Sequence, residues 1–465
     1  MLDLEMAFFA DHGAVATEDD QSRYSTDWSR DLTGRAKVVV RPRSTEEVAA
    51  IVRHCAEHGL SVVPQGGHTG LVGGATPSKD GSEVVISLER LDRVREIDAE
   101  NFTVVVEAGC ILEKLHAAAA EADLLFPLQL SAQGSCQIGG NVATNAGGLN
   151  VVRYGMMRDL VLGLEVVLPD GRIWNGLRKL RKNNAGYDLK QLFIGSEGTL
   201  GIVTAVSLKL FPKPTQVETA FLAVESPAAA VALFGRLRRD LSDLLSAFEL
   251  IPRRCVEMAL AIMPDARDPL DAPSPYYVLM EATASGLVQL RGLVEQAFEG
   301  LIEDGLLADG VLAASAAQAA SFWLIREGLI EAQARRGRHL RTDVSIPISE
   351  IARFLAVTEA AVLAAAPQST PLTYGHLGDG NIHFNVLPPP DLDEAAQIEI
   401  LHRCEEVIFA EVDALQGSLS AEHGIGRVKR HAFLERTGPL DIALLRRIKA
   451  TLDPNGTMSP GRILD

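Results

Sequence analysis

No stretch of this sequence approaches the roughly eighteen consecutive apolar residues that a membrane-spanning helix needs. Its start, Met1-Leu2-Asp3-Leu4-Glu5, lacks the basic stretch of a secretory leader. Basic residues are in deficit: 44 Lys and Arg stand against 61 Asp and Glu, a formal net charge of −17. That balance argues against nucleic acid and anionic membrane surfaces, both of which call for clustered cations. Cysteine is sparse. Cys55, Cys110, Cys136, Cys255 and Cys404 are scattered and odd in number. They fit no disulfide framework, C-x-x-C metal site or iron–sulfur run. Free thiols in small core positions, in a cytoplasmic protein, are the expectation. The phosphate loop ending in Gly-Lys-Ser/Thr is also missing.

What is plentiful is glycine, with 40 residues in a chain of 465. Five fall within nine positions of Pro64-Gln65-Gly66-Gly67-His68-Thr69-Gly70-Leu71-Val72-Gly73-Gly74. Their G-x-x-G-x-x-G spacing is not the nicotinamide fingerprint. Without Cβ atoms, such a loop lets consecutive N–H groups converge on an anion, and a phosphate or pyrophosphate is the natural guest. A second loop of small and polar residues spans Ser131–Gly148, too polar for a core strand and too long for an idle turn. A third is Gly195-Ser196-Glu197-Gly198-Thr199-Leu200-Gly201.

The length suits two or three domains. Val38–Val40 reads as a strand, and Ser44-Thr45-Glu46-Glu47 as a capping box. Val48, Ile51, Val52 and Cys55 then recur at helical spacing up to Gly59, and Ser61–Val63 is the next strand, a βαβ unit leading into the first glycine loop. Strands at Glu83–Leu88 and Thr103–Ala108, a helix at Leu112–Ala122, a hairpin around Pro169-Asp170-Gly171 and a strand at Ile202–Leu210 follow. Phe211-Pro212-Lys213-Pro214 marks a boundary, since two prolines stop both helix and sheet. Beyond it, helical stretches at Pro227–Leu244, Leu287–Glu303 and Ala313–Arg336 alternate with strands such as Tyr276–Glu281, which suggests a second domain.

The runs Pro64–Gly74, Gly134–Gly148 and Arg181–Ile202 resemble the FAD domain of the vanillyl-alcohol oxidase/p-cresol methylhydroxylase flavoproteins. Within that superfamily the chain is similar to the D-2-hydroxyglutarate dehydrogenase family. Gly375-His376-Leu377-Gly378-Asp379-Gly380-Asn381-Ile382-His383-Phe384-Asn385 and Ser420-Ala421-Glu422-His423-Gly424-Ile425-Gly426 agree with it. The resemblance implies an α+β architecture. A two-lobed PCMH-type FAD-binding domain (1–214, core from about 36) is joined to an α/β substrate domain (215–420). A C-terminal segment (421–465) returns to the FAD domain.

It also implies how FAD is held. The first loop wraps the pyrophosphate through Pro64, Gly66, Gly67, His68, Thr69, Gly70, Gly73 and Gly74. Gly134, Gly139, Gly140, Asn141, Thr144 and Gly148 line the flavin and its ribityl chain, and Ile202 meets the adenine end. Ser459 stands where the family's closing motif usually carries Asn. His68 stands where the dehydrogenases tend to carry Asn; other branches carry Gly-Gly-His with FAD bound covalently through the histidine. Non-covalent FAD is the main expectation and attachment through His68 the alternative.

By spacing alone, His376 and His383 are either turn residues or a facing pair across the Asp379-Gly380 turn, with His383 and Asn385 on one strand face. The resemblance makes them metal ligands with Glu422 as the third. Zn²⁺ is the family's metal, while Mn²⁺, Co²⁺ or Fe²⁺ would accept the same ligands. His423 is the candidate base, with capping of the turn at Gly424 as its plainer role. Arg326 and Arg341 are candidate clamps for substrate carboxylates, with Asn385 beside them. Arg341 replaces a frequent Lys and Ile330 a Thr of one family form, so the far end of the pocket differs.

The expected activity is FAD-linked oxidation of a D-2-hydroxy acid, D-2-hydroxyglutarate first, with D-lactate or another D-2-hydroxy acid as the alternative. A flavin-holding electron-transfer subunit is the rival of another class, and an oxidase using O₂ a third. No haem or iron–sulfur ligands are present, so electrons must leave to an outside acceptor such as an electron-transfer flavoprotein or a quinone. Homodimerisation is left open.

Overall fold

The computed structural model describes residues 2–17 and 20–464. The chain divides into two compact units. The first comprises the described residues up to Gly148, Gly155–Lys213 and the segment from Glu422 onward; the second comprises Leu149–Tyr154 and Pro214–Ala421.

The first unit holds two principal sheets. One runs in the order Ala14–Val15, Val38–Arg41, Glu83–Ser87, Ser61–Gln65. Its last three strands are parallel, joined through the helix Thr45–Glu57. Ser44 caps that helix by accepting from the Glu47 N–H, while Glu47 accepts from the Arg43 N–H, one residue before the usual capping-box partner. Val48, Ile51, Val52 and Cys55 are fully buried on the sheet, as the helical spacing predicts. The other sheet is antiparallel: Val94–Asp98, Thr103–Glu107, Ile202–Lys209, Val161–Val167, Ile173–Gly176.

The C-terminal segment completes the first sheet. The Val62 N–H donates to Thr457 O, the Ser459 N–H donates to Val62 O, and Met458 lies fully buried between them. Three residues on, the Arg462 side chain is wholly buried. It donates to Glu83, to Thr76 O at 2.6 Å, to Pro460 O at 2.7 Å and to Gly74 O at 3.1 Å. Burial alone would push the Glu83 carboxyl up, but Arg462, the Ser78 N–H and Arg427 bring it below its ordinary value. Replacing Arg462 by Met should cost roughly 3–5 kcal/mol, since it strands a buried carboxylate and several carbonyls. A urea midpoint unchanged in R462M would refute this. The sign with pH also follows. A carboxyl depressed in the folded state stabilises fully above its unfolded value and loses that contribution as pH falls through the folded one. R462M should therefore blunt the acid limb of the stability curve.

The second unit is built on seven strands in the order Asp309–Leu312, Gln216–Val224, Tyr276–Ala284, Leu245–Pro252, Thr370–His376, Asn381–Leu387, Val344–Ser345, each pair antiparallel. Arg253–Ile262 and Ala316–Ala334 pack on one face, where Phe221, Ile251, Tyr277, Leu279, Leu372 and Tyr374 meet Cys255, Val256, Phe322, Ile325 and Leu329. Pro227–Leu241 covers the opposite face, with Phe234 against Phe248 at a ring separation of 5.1 Å. The alternation that sends Phe248 and Leu250 one way sends Glu249 and Ile251 the other.

Candidate active site

In the first unit three glycine-bearing loops converge. A Cβ on Gly67 would stand 2.1 Å from Ser135 O, so the first loop lies directly on the second. A Cβ on Gly198, whose φ is +72°, would stand 2.5 Å from Pro64 Cγ, so the third closes on the first. A Cβ on Gly66 would stand 3.6 Å from Gly140 N. Gly139 and Gly148 are packed against Ala108 and Gln129 O, and Gly73 against Leu32, so these serve close approach of backbone. Gly134 is exposed beside Glu113. Gly70 and Gly140 differ: a Cβ on either would meet nothing within 4 Å. Two buried side-chain oxygens of the second loop, Gln137 Oε1 and Asn141 Oδ1, have no hydrogen-bond partner. Buried acceptors left idle in a loop with open backbone fit a ligand that brings its own donors. Gln137 carried no separate expectation; its polarity inside a glycine loop was the signal.

His68 sits at φ +54°, a backbone region that Asn, the residue of the resembled family, enters more readily than most residues. Its Nδ1 lies 3.2 Å from Arg23 O and its Nε2 3.0 Å from Thr76 Oγ1. Both ring nitrogens are thus engaged by the protein, and burial lowers the imidazole's pKa. Ser459 likewise has φ +45°, which explains an Asn preference there on backbone grounds, and its hydroxyl donates to Gly198 O. Thr144 Oγ1 donates to Gly140 O, and Ile202 is buried and paired with Val167.

The loop carrying Glu422 and His423 is strapped to this cradle. Glu197, at φ +51°, accepts from the Ile425 N–H at 2.7 Å and the Gly426 N–H at 2.8 Å. The Arg427 N–H donates to Val72 O in the first loop. Gly424, at φ +83°, leaves no room for a Cβ, which would lie 2.8 Å from Glu197 Oε1. Burial pushes the Glu197 carboxyl up, against the two N–H groups and Lys429. Glu422 and His423 are half-buried, with 3.8 Å between Oε1 and Nε2.

In the second unit the hairpin Thr370–His376/Asn381–Leu387 pairs Tyr374 with His383 and His376 with Asn381. The two histidines are therefore diagonal neighbours on one sheet face rather than directly opposed. Their rings meet edge to face at 5.6 Å, and one nitrogen of each lies within 4.8 Å of the other. On the adjoining strand Glu249 is the register partner of His376. Its carboxylate is fully buried and receives His376 Nδ1 on Oε1 and Arg326 Nε on Oε2 at 2.6 Å. Burial would raise its pKa; His376 and Arg326 outweigh that and hold it at about 2. Arg326 is itself buried, its guanidinium 4.8 Å from the Tyr374 ring centroid. Asn385 directs both N–H donors at protein acceptors, Gln333 Oε1 and the Tyr374 hydroxyl, and accepts from the Thr342 N–H. Arg341 is exposed, with Nε 3.2 Å from His339 Nε2.

Two family models match the sequence: an FAD binding domain over residues 36–176 and the C-terminal domain of FAD linked oxidases over 213–463. Bos taurus mitochondrial D-2-hydroxyglutarate dehydrogenase is 41% identical over 461 residues, covering 97% of this chain and 81% of the relative. The D-2-hydroxyglutarate dehydrogenase of Xanthomonas citri pv. viticola is 41% identical over 449 residues, covering 96% and 93%. Among solved structures, p-cresol methylhydroxylase with substrate bound superposes with a TM-score of 0.74 at 15% identity, over 99% of this chain and 95% of that one. The 4-ethylphenol oxidase of Gulosibacter chungangensis gives 0.70 at 18% identity, over 99% and 93%. These two establish the α+β, PCMH-type fold. The cytoplasmic expectation is corrected by the relatives: those from Bos taurus, Oryza sativa, Rattus norvegicus and Arabidopsis thaliana are named mitochondrial. Scattered thiols argue for a reducing environment but do not say which membrane encloses it. No helix among the described residues is long and apolar enough to cross a membrane.

Proposed function

The chain belongs to the family of FAD linked oxidases, and from that premise we infer that it is an FAD-dependent dehydrogenase oxidising D-2-hydroxyglutarate to 2-oxoglutarate. The observation that carries this is its 41% identity to D-2-hydroxyglutarate dehydrogenases from an animal and a bacterium across nearly the whole chain. The idle acceptors at Gln137 and Asn141, together with the open faces of Gly70 and Gly140, support FAD in the first unit. The hydrogen bonds of His68 to Arg23 and Thr76 favour non-covalent binding there.

The donor set of two imidazoles and a carboxylate, His376, His383 and Glu422, suits a divalent cation, with Zn²⁺ first. Bound FAD supplies the hydride acceptor. A bound cation supplies Lewis acidity toward the substrate hydroxyl. His423 takes the hydroxyl proton, and its loop is held on the cofactor cradle by Glu197. Arg326, its orientation set by Glu249 and Tyr374, and Arg341 neutralise the substrate carboxylates. The substrate loses one hydride from C2 and one proton from its hydroxyl. The two electrons then leave to an external acceptor, an electron-transfer flavoprotein or a quinone.

Anaerobic flavin bleaching with D-2-hydroxyglutarate, D-malate and D-lactate tests the reading. Bleaching is expected with D-2-hydroxyglutarate foremost. A strong preference for lactate would reject the dicarboxylate claim, and no bleaching with any of the three would reject catalysis. The cradle has its own test. Gly70→Ala should fold normally yet weaken FAD binding about tenfold or more, because its methyl enters the open space. Gly67→Ala should lose both FAD and stability, because its methyl strikes Ser135 O. Unchanged FAD affinity in Gly70→Ala, by flavin fluorescence titration, would remove Gly70 from the cradle.

A further inference from the structure

Glu249 is a buried ionic group that touches neither substrate nor cofactor in the proposed reaction. It lies in a strand whose eight residues are all buried, among Phe248, Leu250 and Ile251. A carboxylate in such a place is retained against a large desolvation cost only if strong partners surround it. It has two, one on each oxygen: Arg326 Nε on Oε2 and His376 Nδ1 on Oε1. Neither contact is an accident of a mobile surface. Strand register sets Glu249 opposite His376, and the helix Ala316–Ala334 carries Arg326 onto the same face.

An ionised carboxylate can only accept hydrogen bonds. Facing Glu249, a neutral His376 carries its proton on Nδ1, which puts the lone pair on Nε2. A ring whose nitrogens could exchange roles would present a ligating lone pair only part of the time. The same carboxylate fixes the guanidinium of Arg326 at its Nε edge.

We propose that Glu249 is a positioning residue that locks His376 in the Nδ1–H tautomer, so that Nε2 is the atom offered to a divalent cation, and that the same carboxylate holds Arg326 in place for the substrate. This rests on the metal reading above. It adds that the ligand field and the anion clamp share one buried anchor, so that loss of that anchor disturbs both. Gln is not a substitute. Its amide has one acceptor and one donor end, and cannot accept from His376 and Arg326 together.

The test uses full-length FAD-loaded protein stripped of metal by chelation. Long-range ¹H–¹⁵N spectra of histidine-labelled protein, with His376 assigned by its absence in His376→Asn, report which ring nitrogen carries the proton. Nδ1–H is expected in the parent chain, and Nε2–H there overturns the proposal without any variant, so a poorly folding mutant cannot shield it. Zinc affinity by competition with a chromophoric chelator should fall about 10- to 100-fold in Glu249→Gln, with a raised KM for D-2-hydroxyglutarate. Glu165→Gln serves as the structural control. It breaks a buried network with Arg95, Thr45 and Thr204 in the other unit and should lower stability without moving zinc affinity. Zinc affinity within twofold of the parent in a folded Glu249→Gln overturns the proposal while leaving the metal reading intact. A parent chain that takes up no zinc overturns both, and is recognised before any variant is made.

Discussion

His383→Ala should keep its FAD and lose D-2-hydroxyglutarate oxidation by about three orders of magnitude. Lewis-acid help to a departing hydroxyl proton is worth several kcal/mol, and about 4 kcal/mol corresponds to a thousandfold in rate. His383 is the better ligand to remove. It is half-buried, whereas truncating His376 would strip Glu249 of a partner inside the core and confound metal loss with destabilisation. The proposed FAD cradle is built from loops of the first unit and His383 lies in the second, so flavin content should match the parent. Chelation of the parent should reproduce the loss, and added Zn²⁺ should restore the parent but not the variant. Full turnover by His383→Ala with no metal bound, measured by elemental analysis alongside kcat, would end the metal-assisted reading.

His423→Asn should lower kcat by about 10²- to 10⁴-fold, the usual worth of a positioned general base. Its loop is fixed through backbone N–H groups of Ile425 and Gly426. The substitution should therefore leave fold, FAD and zinc content alone. Exogenous imidazole should recover part of the rate. If kcat in His423→Asn stays within threefold of the parent, the imidazole only caps its turn, and the proton must go elsewhere.

The two sites were unequally legible from sequence. Glycine loops announce themselves by composition, and the βαβ unit by Ser44 and the spacing of Val48, Ile51, Val52 and Cys55. The Asp379-Gly380 turn fixed the hairpin and hence the shared face of His383 and Asn385. Register was less accessible. Only the ladder reveals that His376 opposes Asn381 and that Glu249 lies beside His376 on a strand far away in sequence. A lone Glu inside Leu245–Pro252 was the available signal, since a charge in an otherwise apolar strand demands partners. Backbone angles were invisible as well. His68 and Ser459 look like departures at Asn positions, yet both occupy the left-handed region, so the replaced Asn speaks first to conformation. The assignment of Leu149–Tyr154 to the second unit was also out of reach. Six residues between glycine-rich segments carry no periodic pattern, and their attachment is made by contacts such as Arg153 to Thr283.

Met458 docking beside Val62 and Arg462 filling the space around Glu83 make the flavin-binding unit discontinuous: it borrows residues that follow all of Pro214–Ala421 in the chain. During synthesis, then, the nucleotide cradle is left waiting for its keystone while some two hundred residues of the neighbouring unit leave the ribosome. A nascent or prematurely stopped chain would carry an exposed sheet and an unneutralised Glu83, and would be a natural client for chaperones until translation delivers the missing piece.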